Sequence, residues 1–258
     1  MKVTILGCGP SQGVPVIGGR WGDCDPANPR NRRTRPSIVV EQDGVAILVD
    51  TAPDIRAQLL ACDIGHIDAV LFTHLHYDHI GGIGELRTLS FLADRRIDTY
   101  GTADVMDRLA NNWGYLFRAE DSDDPGLYQP VAQTNTFEYG EPFEACGVPV
   151  TAFRQDHGIC ETAGFRFGRF AYSTDVVELD DDAFAALEGV EVWIVDCLRE
   201  RPHPTHAHFD RTLDWIERVG PERAVFTHMN HQSDYEAVRA KCPAGVEPGY
   251  DGMVLDIS

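Results

Sequence analysis

Short apolar runs separated by polar turns recur along the whole chain, and most have the length of a β-strand. Strand-type runs fall at residues 2–6, 68–72, 97–100, 148–154, 192–196, 223–227 and 253–257. Residues 37–41 and 45–49 flank Gln42-Asp43-Gly44 and predict a hairpin with an Asp-Gly turn. A second hairpin is predicted at 163–167 and 169–172, joined by Gly168. Helical stretches are predicted over 54–62 behind Pro53, 84–92, 103–117 behind a Thr102 cap, 182–188, 209–219 and 234–241. Alternating strands and helices point to an α/β chain, and 258 residues suffice for one domain, 1–258, with a large core. Residues 118–134 break the pattern, with Asp121-Ser122-Asp123-Asp124-Pro125-Gly126 inside, and read as an insertion or lid. Trp113, Tyr115, Phe117 and Tyr128 border it and are expected to pack ordinarily.

What the strands deliver at their ends changes the picture. The run at 68–72 is followed by Thr73-His74-Leu75-His76-Tyr77-Asp78-His79, which puts four metal-competent side chains into six residues. In extended chain, His74 and His76 point the same way and can grip one ion. Once the chain turns helical, Asp78 and His79 fan out differently and can hold a second. Three later strands repeat the event, delivering His157, Asp175 and His228. Ligands enter open α/β sheets at such strand ends. Imidazole and carboxylate together suit zinc, manganese or iron, and the pattern does not choose among them.

Charge narrows the partners. A formal net charge of −19 argues against extended nucleic acid, which needs a basic footprint. It leaves room for a small phosphorylated substrate, because divalent ions dominate the field around them. No apolar run reaches membrane-spanning length, so no membrane partner is expected. Seven cysteines at scattered positions form no C-x-x-C pair. That usage, with an opening segment that reads as a strand, predicts a reducing compartment and a cytoplasmic protein.

Other stretches admit two readings each. Gly7-Cys8-Gly9-Pro10-Ser11-Gln12-Gly13-Val14-Pro15 is either a tight connection or a wall of the site, and it is not a P-loop. Four arginines, Arg30, Arg32, Arg33 and Arg35, sit within six residues of an acidic chain. They suit phosphate, but a structural or solvated role is the stronger expectation. Asp50 closes a strand as a helix N-cap or turn residue, or as a carboxylate that orients a ligand histidine.

The motif at 74–79, followed in order by His157, Asp175 and His228, resembles the metallo-β-lactamase superfamily over essentially the whole chain. The resemblance implies a four-layer αββα sandwich of two mixed sheets. It implies that His74, His76 and His157 hold one metal, that Asp78, His79 and His228 hold another, and that Asp175 bridges them. Two divalent ions, Zn2+ or Mn2+, are the cofactors so implied, with Asp78 counted among the catalytic residues and a solvent oxygen readied for attack on phosphorus. Within the superfamily the chain is similar to the PhnP-type phosphodiesterases of phosphoribosyl cyclic phosphate. The stretches that carry this are Gly7-Cys8-Gly9, Gly13-Val14-Pro15, Pro29-Arg30-Asn31-Arg32-Arg33, Asp50-Thr51-Ala52-Pro53-Asp54, Ser173-Thr174-Asp175 and Pro204-Thr205-His206.

That branch implies hydrolysis of a small cyclic or nucleotide-like phosphodiester and a homodimer. It also implies that His206, twenty-two residues before His228, binds substrate and protonates the leaving oxygen. His203 and His208 lie beside it. Rival readings are a tRNA 3′-processing endonuclease, which should bring a basic face, a thioester or lactam hydrolase, and a non-enzymatic binding module, which the complete seven-ligand set disfavours. One departure stands out. Gly19 and Trp21 occupy positions where relatives carry cysteines, so Cys24 and His231 fall short of a closed zinc shell.

Overall fold

A computed structural model describes residues 1–118 and 129–257. The first half runs β1 (Lys2–Gly7), β2 (Ser37–Gln42), β3 (Val45–Val49), α1 (Ile55–Ala61), β4 (Ala69–Leu71), α2 (Tyr77–Ile80), α3 (Leu86–Ala93), β5 (Ile97–Gly101), α4 (Ala103–Asn112), α5 (Gly114–Phe117) and β6 (Ala132–Thr136). The second runs β7 (Pro142–Ala145), β8 (Val148–Asp156), β9 (Glu161–Phe167), β10 (Phe170–Ser173), α6 (Asp181–Ala186), β11 (Val192–Asp196), α7 (Phe209–Val219), β12 (Arg223–Thr227), α8 (Tyr235–Arg239), β13 (Val246–Pro248) and β14 (Val254–Asp256). They form two seven-stranded sheets, in the orders β14-β1-β2-β3-β4-β5-β6 and β13-β12-β11-β10-β9-β8-β7.

Period-two alternation separates the layers. Ile38 and Val40 of β2, Ile47 and Val49 of β3, and Ala69 and Leu71 of β4 join the core that also holds Phe165, Phe167, Phe170 and Trp193 of the other sheet. Val39, Leu48 and Val70 face the opposite way, onto Ile55, Leu59, Leu86 and Leu89 of α1 and α3. Burial of each large side chain in these layers contributes about 1.5–3 kcal/mol before entropy is counted. On α7, Phe209, Thr212, Trp215 and Ile216 make the buried stripe, and the helix stops at Gly220, whose φ of 68° is left-handed.

Strand direction puts the site at one edge. β3, β4 and β5 run parallel in the first sheet, and β10, β11 and β12 run parallel in the second. β8 reaches β10 through two antiparallel pairings and so points the same way. The loops after β4, β8, β10, β11 and β12 therefore leave together. Ala163 donates its amide to the Thr73 carbonyl at 3.0 Å, tying the two sheets directly below the cluster.

The elements differ from the sequence reading in four places. The helix expected over 103–117 breaks at Trp113, whose φ/ψ of −123°/46° is not helical, into α4 and α5. Residues 132–134, read as part of a lid, belong to β6, while 119–128, with Tyr128, lie outside the described residues. β7 and β13 were not expected. Trp113 and Phe117 pack against the helical layer of the first sheet.

Candidate metal centre

The six residues after β4 take two conformations, as their pattern predicts. His76 is extended at φ −67° and ψ 147°, and α2 then carries Asp78 and His79 inward. Three other residues of the site, Asp50, Asp175 and His228, sit at positive φ (63°, 53° and 59°). Non-glycine residues seldom adopt that region, and here each turns the chain sharply at a strand end.

The side chains converge on Asp175. Its Oδ1 lies 3.6 Å from Nε2 of His157 and 3.9 Å from Nε2 of His74. Its Oδ2 lies 3.0 Å from Nε2 of His79 and 3.3 Å from Nε2 of His228. Asp78 Oδ2 stands 3.4 Å from His79 Nε2 and 3.5 Å from His228 Nε2. Among the described residues three metal-competent groups result: His74, His76, His157 and Asp175; Asp78, His79, Asp175 and His228, which shares Asp175 with the first; and Asp196, His206 and His228, which lacks Asp175. Donors on a tetrahedral ion at about 2.1 Å stand about 3.4 Å from one another, so the first two groups could each hold a divalent ion. Nε2 of His74, His79 and His228 has no hydrogen-bond partner although all three residues are buried. A buried polar atom without a partner is costly unless a ligand satisfies it.

Hydrogen bonds fix which nitrogen each ring presents. Asp50, fully buried, accepts from the Thr73 amide at 2.8 Å and the Thr73 hydroxyl at 2.7 Å. It also accepts from His79 Nδ1 at 2.6 Å. With its proton on Asp50, the Thr73 hydroxyl accepts from His74 Nδ1 at 3.0 Å. His157 Nδ1 donates to the Thr205 carbonyl at 2.6 Å. Each of these rings then turns its Nε2 toward Asp175. Asp50 is thus the orienting carboxylate rather than a helix cap.

Gly158 permits the His157 contact. It has φ 79°, and a Cβ there would stand 2.5 Å from the Pro204 carbonyl. The same approach brings in His206, whose ring lies 4.8 Å from His157 and 4.6 Å from His228, centroid to centroid. His206 Nδ1 donates to Asp196 Oδ2 at 2.9 Å, and Nε2 stands 3.9 Å from Asp175 Oδ1. Asp196 ends β11, is fully buried, and also accepts from the Val176 amide at 3.0 Å. The Thr212 hydroxyl of α7 anchors its backbone carbonyl at 2.8 Å. Asp196 was missed in the sequence, yet it closes an apolar strand with a carboxylate by the same rule that found Asp175.

Electrostatics follow the packing. Burial opposes charge on His79, but Asp175, Asp78 and Asp50 outweigh it and hold its pKa well above the usual value. Burial, then His79, pushes His74 well below. Burial also lowers His157. Asp175 is held far down despite its burial, chiefly by His228 and His79, and Asp78 likewise by His79 and His228. Burial again opposes charge on His206, yet Asp196, with smaller help from Asp175 and Asp78, lifts it to about 9.

The remaining candidates lie elsewhere. Arg33 is buried and donates to the carbonyls of Ser233 at 2.8 Å and Asn230 at 3.2 Å. Arg30 stacks on Tyr235 and Tyr250, Arg32 on Trp21, and Arg35 pairs with Asp54 at 2.9 Å. The arginine cluster is structural. In the glycine-rich loop the Cys8 carbonyl accepts from the Met229 amide at 3.0 Å, which steadies the residue after His228. Cys24 and His231 join none of the metal-competent groups among the described residues.

Two face-to-face mixed sheets with such a centre at their shared edge define a metal-dependent hydrolase of the metallo-β-lactamase fold. The chain belongs to the β-lactamase superfamily: the family described as Beta-lactamase superfamily domain matches residues 46–229, which include every candidate ligand. A solved structure of a diphosphatase from the PhnP family is 33% identical with TM-score 0.89, over 100% of this chain and 98% of that one. A Mycobacterium sp. protein named ribonuclease Z is 30% identical over 97% of this chain and 94% of its own. A Porphyromonas gingivalis protein named octanoyltransferase is 30% identical over 98% of this chain, which spans about half (51%) of its length. Among the described residues, no helix is long and apolar enough to cross a membrane.

Proposed function

We propose that the protein hydrolyses a small phosphodiester, cyclic or nucleotide-like, at a dinuclear centre. One observation carries the reading: the two oxygens of Asp175 face two separate imidazole sets, with His206 poised beside the first. In this reading His74, His76 and His157 hold one divalent ion, Zn2+ or Mn2+, Asp78, His79 and His228 hold the other, and Asp175 serves both. When bound, such a pair supplies Lewis acidity to the non-bridging phosphoryl oxygens and lowers the pKa of water.

The protein's own groups do the rest. Asp50, Thr73 and the Thr205 carbonyl hold the ligand rings in one tautomer. His206, protonated at neutral pH by virtue of Asp196, gives its Nε2 proton to the leaving oxygen. Asp196 is a positioning residue that keeps the imidazole aimed. Two of the relatives described above, a diphosphatase and a ribonuclease, are named for phosphorus–oxygen chemistry. The net charge of −19 and the partnered arginines favour a small substrate over tRNA.

A panel of cyclic and linear diesters, assayed with zinc and with manganese, tests the reading. His206→Ala should lower kcat about 10²–10⁴-fold, most for alkoxide leaving groups, with metal content intact. Loss of metal in that variant would make His206 a ligand instead. The likeness to an octanoyltransferase supports a second reading, hydrolysis of an acyl thioester. Turnover of an octanoyl thioester with every diester inert would favour it. In either reading we expect a single domain, a homodimer and a cytoplasmic enzyme, to be checked by light scattering and fractionation.

A further inference from the structure

A cleft of about 630 Å³ opens from His74 and His76. That is many times the size of one phosphoryl group and typical of a site that encloses a small molecule. Its base is Thr73, His74 and Leu75, its walls the start of α4, the Glu138-Tyr139 turn and the Cys160-Glu161 turn. Through His74 and His76 this base is shared with the candidate metal centre. In the proposed phosphodiesterase, on which this inference rests, the cleft takes the part of the substrate beyond the reacting phosphorus.

Charge decides what that part can be. Among the described residues the lining holds three carboxylates, Asp104, Glu138 and Glu161, against one guanidinium, Arg108. Arg108 is already paired with Asp104 at 3.6 Å. Arg154, beside the lining residue Glu161, is committed to it at 2.6 Å and to Asp180 at 3.2 Å. The Glu138 carboxylate has no partner among the described residues. The start of α4 offers no free positive end either. Thr102 caps it at the Val105 amide, and Asp104 sits in its first turn. Burial, then Glu161, pushes the Tyr139 phenol up to about 12, so it adds a hydroxyl and an aromatic face without charge.

We infer that the cleft selects diesters whose second arm is a neutral sugar or nucleoside, and that Glu138 is the residue that turns away an arm bearing another phosphate. This separates the chain from an enzyme built for phosphoribosyl cyclic phosphate, whose arm carries a phosphate of its own. The reaction is the same on either arm: water oxygen bonds to phosphorus, the P–O bond to the leaving group breaks with its electron pair, and that oxygen takes up a proton.

The test compares two substrates on the metal-loaded protein, p-nitrophenyl thymidine 5′-phosphate and its 3′-phosphorylated counterpart, beside bis(p-nitrophenyl) phosphate. The neutral arm should win in kcat/KM by roughly tenfold at low salt, and the gap should shrink as salt screens Glu138. Glu138→Lys should close or reverse it. An anionic arm preferred by the wild type, or a ratio moved neither by salt nor by Glu138→Lys, overturns the inference while leaving the diesterase standing. Inertness of all three diesters, bis(p-nitrophenyl) phosphate included, overturns the proposed function and this inference with it.

Discussion

The first sheet sends four candidate ligands to the centre on one loop, residues 74–79. The second sends three on separate loops, at 157, 175 and 228. The first set is held by its own neighbourhood, since Thr73, one residue before it, joins Asp50 to His74 while Asp50 also grips His79. The second set is held by sheet register, with β8, β10 and β12 aligned by pairing across β9 and β11. Asp175 is where the two meet, because its two oxygens face two rings of the first loop, His74 and His79, and two of the second sheet, His157 and His228. A loop that carries its own bracing can be damaged piecemeal; a centre assembled from strand ends fails at the shared carboxylate.

Asp175→Ala breaks the comparison hardest. Removing it leaves both ligand groups short by one donor, and activity should fall by about a thousandfold or more, with both ions lost by elemental analysis. Asp50→Asn attacks only the braced loop. One of the Thr73 donors then faces an amide NH2, and the His79 ring loses its anionic partner. Metal affinity should fall about 10–100-fold by chelator competition, with the fold intact by circular dichroism.

Asp196→Asn tests the second half without touching a proposed ligand. The pKa of His206, about 9 with Asp196 in place, should fall. In the proposed mechanism His206 acts while protonated, so activity should be lost as pH rises through that pKa. The alkaline limb of kcat/KM should therefore move to lower pH, with kcat down about tenfold and metal content unchanged.

The variant expected to disturb activity least lies away from the centre. Asp251 accepts from the amides of Cys8 and Thr34 and from the Thr34 hydroxyl, and burial raises its pKa to about 6. A folded-state pKa above the unfolded one favours the native protein while the group is protonated. That contribution is whole below about pH 4 and is lost as pH rises through about 6. The wild type should lose up to about 3 kcal/mol relative to Asp251→Asn across this window, read from urea melts at each pH.

Much of the site was legible in the sequence because the chemistry sits where apolar strands stop. His74, His157, Asp175 and His228 each follow such a run, and the structure brings them together. What escaped lies at sheet edges. β6, β7 and β13 border their sheets, and Gln133, Thr134 and Thr136 of β6 are exposed, so no apolar alternation marks them. The break at Trp113 also escaped, although Gly114 directly after it signals a helix end. The Asp196–His206 pair spans ten residues across a loop, and the backbone turn at Gly158 that presents His206 to the centre is a tertiary fit. The arginine cluster was expected to be structural or solvated, and its partners were not legible because those of Arg30 and Arg33, namely Tyr235, Tyr250, Asn230 and Ser233, lie some two hundred residues further on.

Anomalous diffraction from crystals grown with zinc tests the central claim most directly. Two peaks are expected. One should fall among His74, His76, His157 and Asp175, the other among Asp78, His79, Asp175 and His228. A peak held by Asp196 and His206 instead, or a lone peak that Asp175 does not touch, would contradict the account.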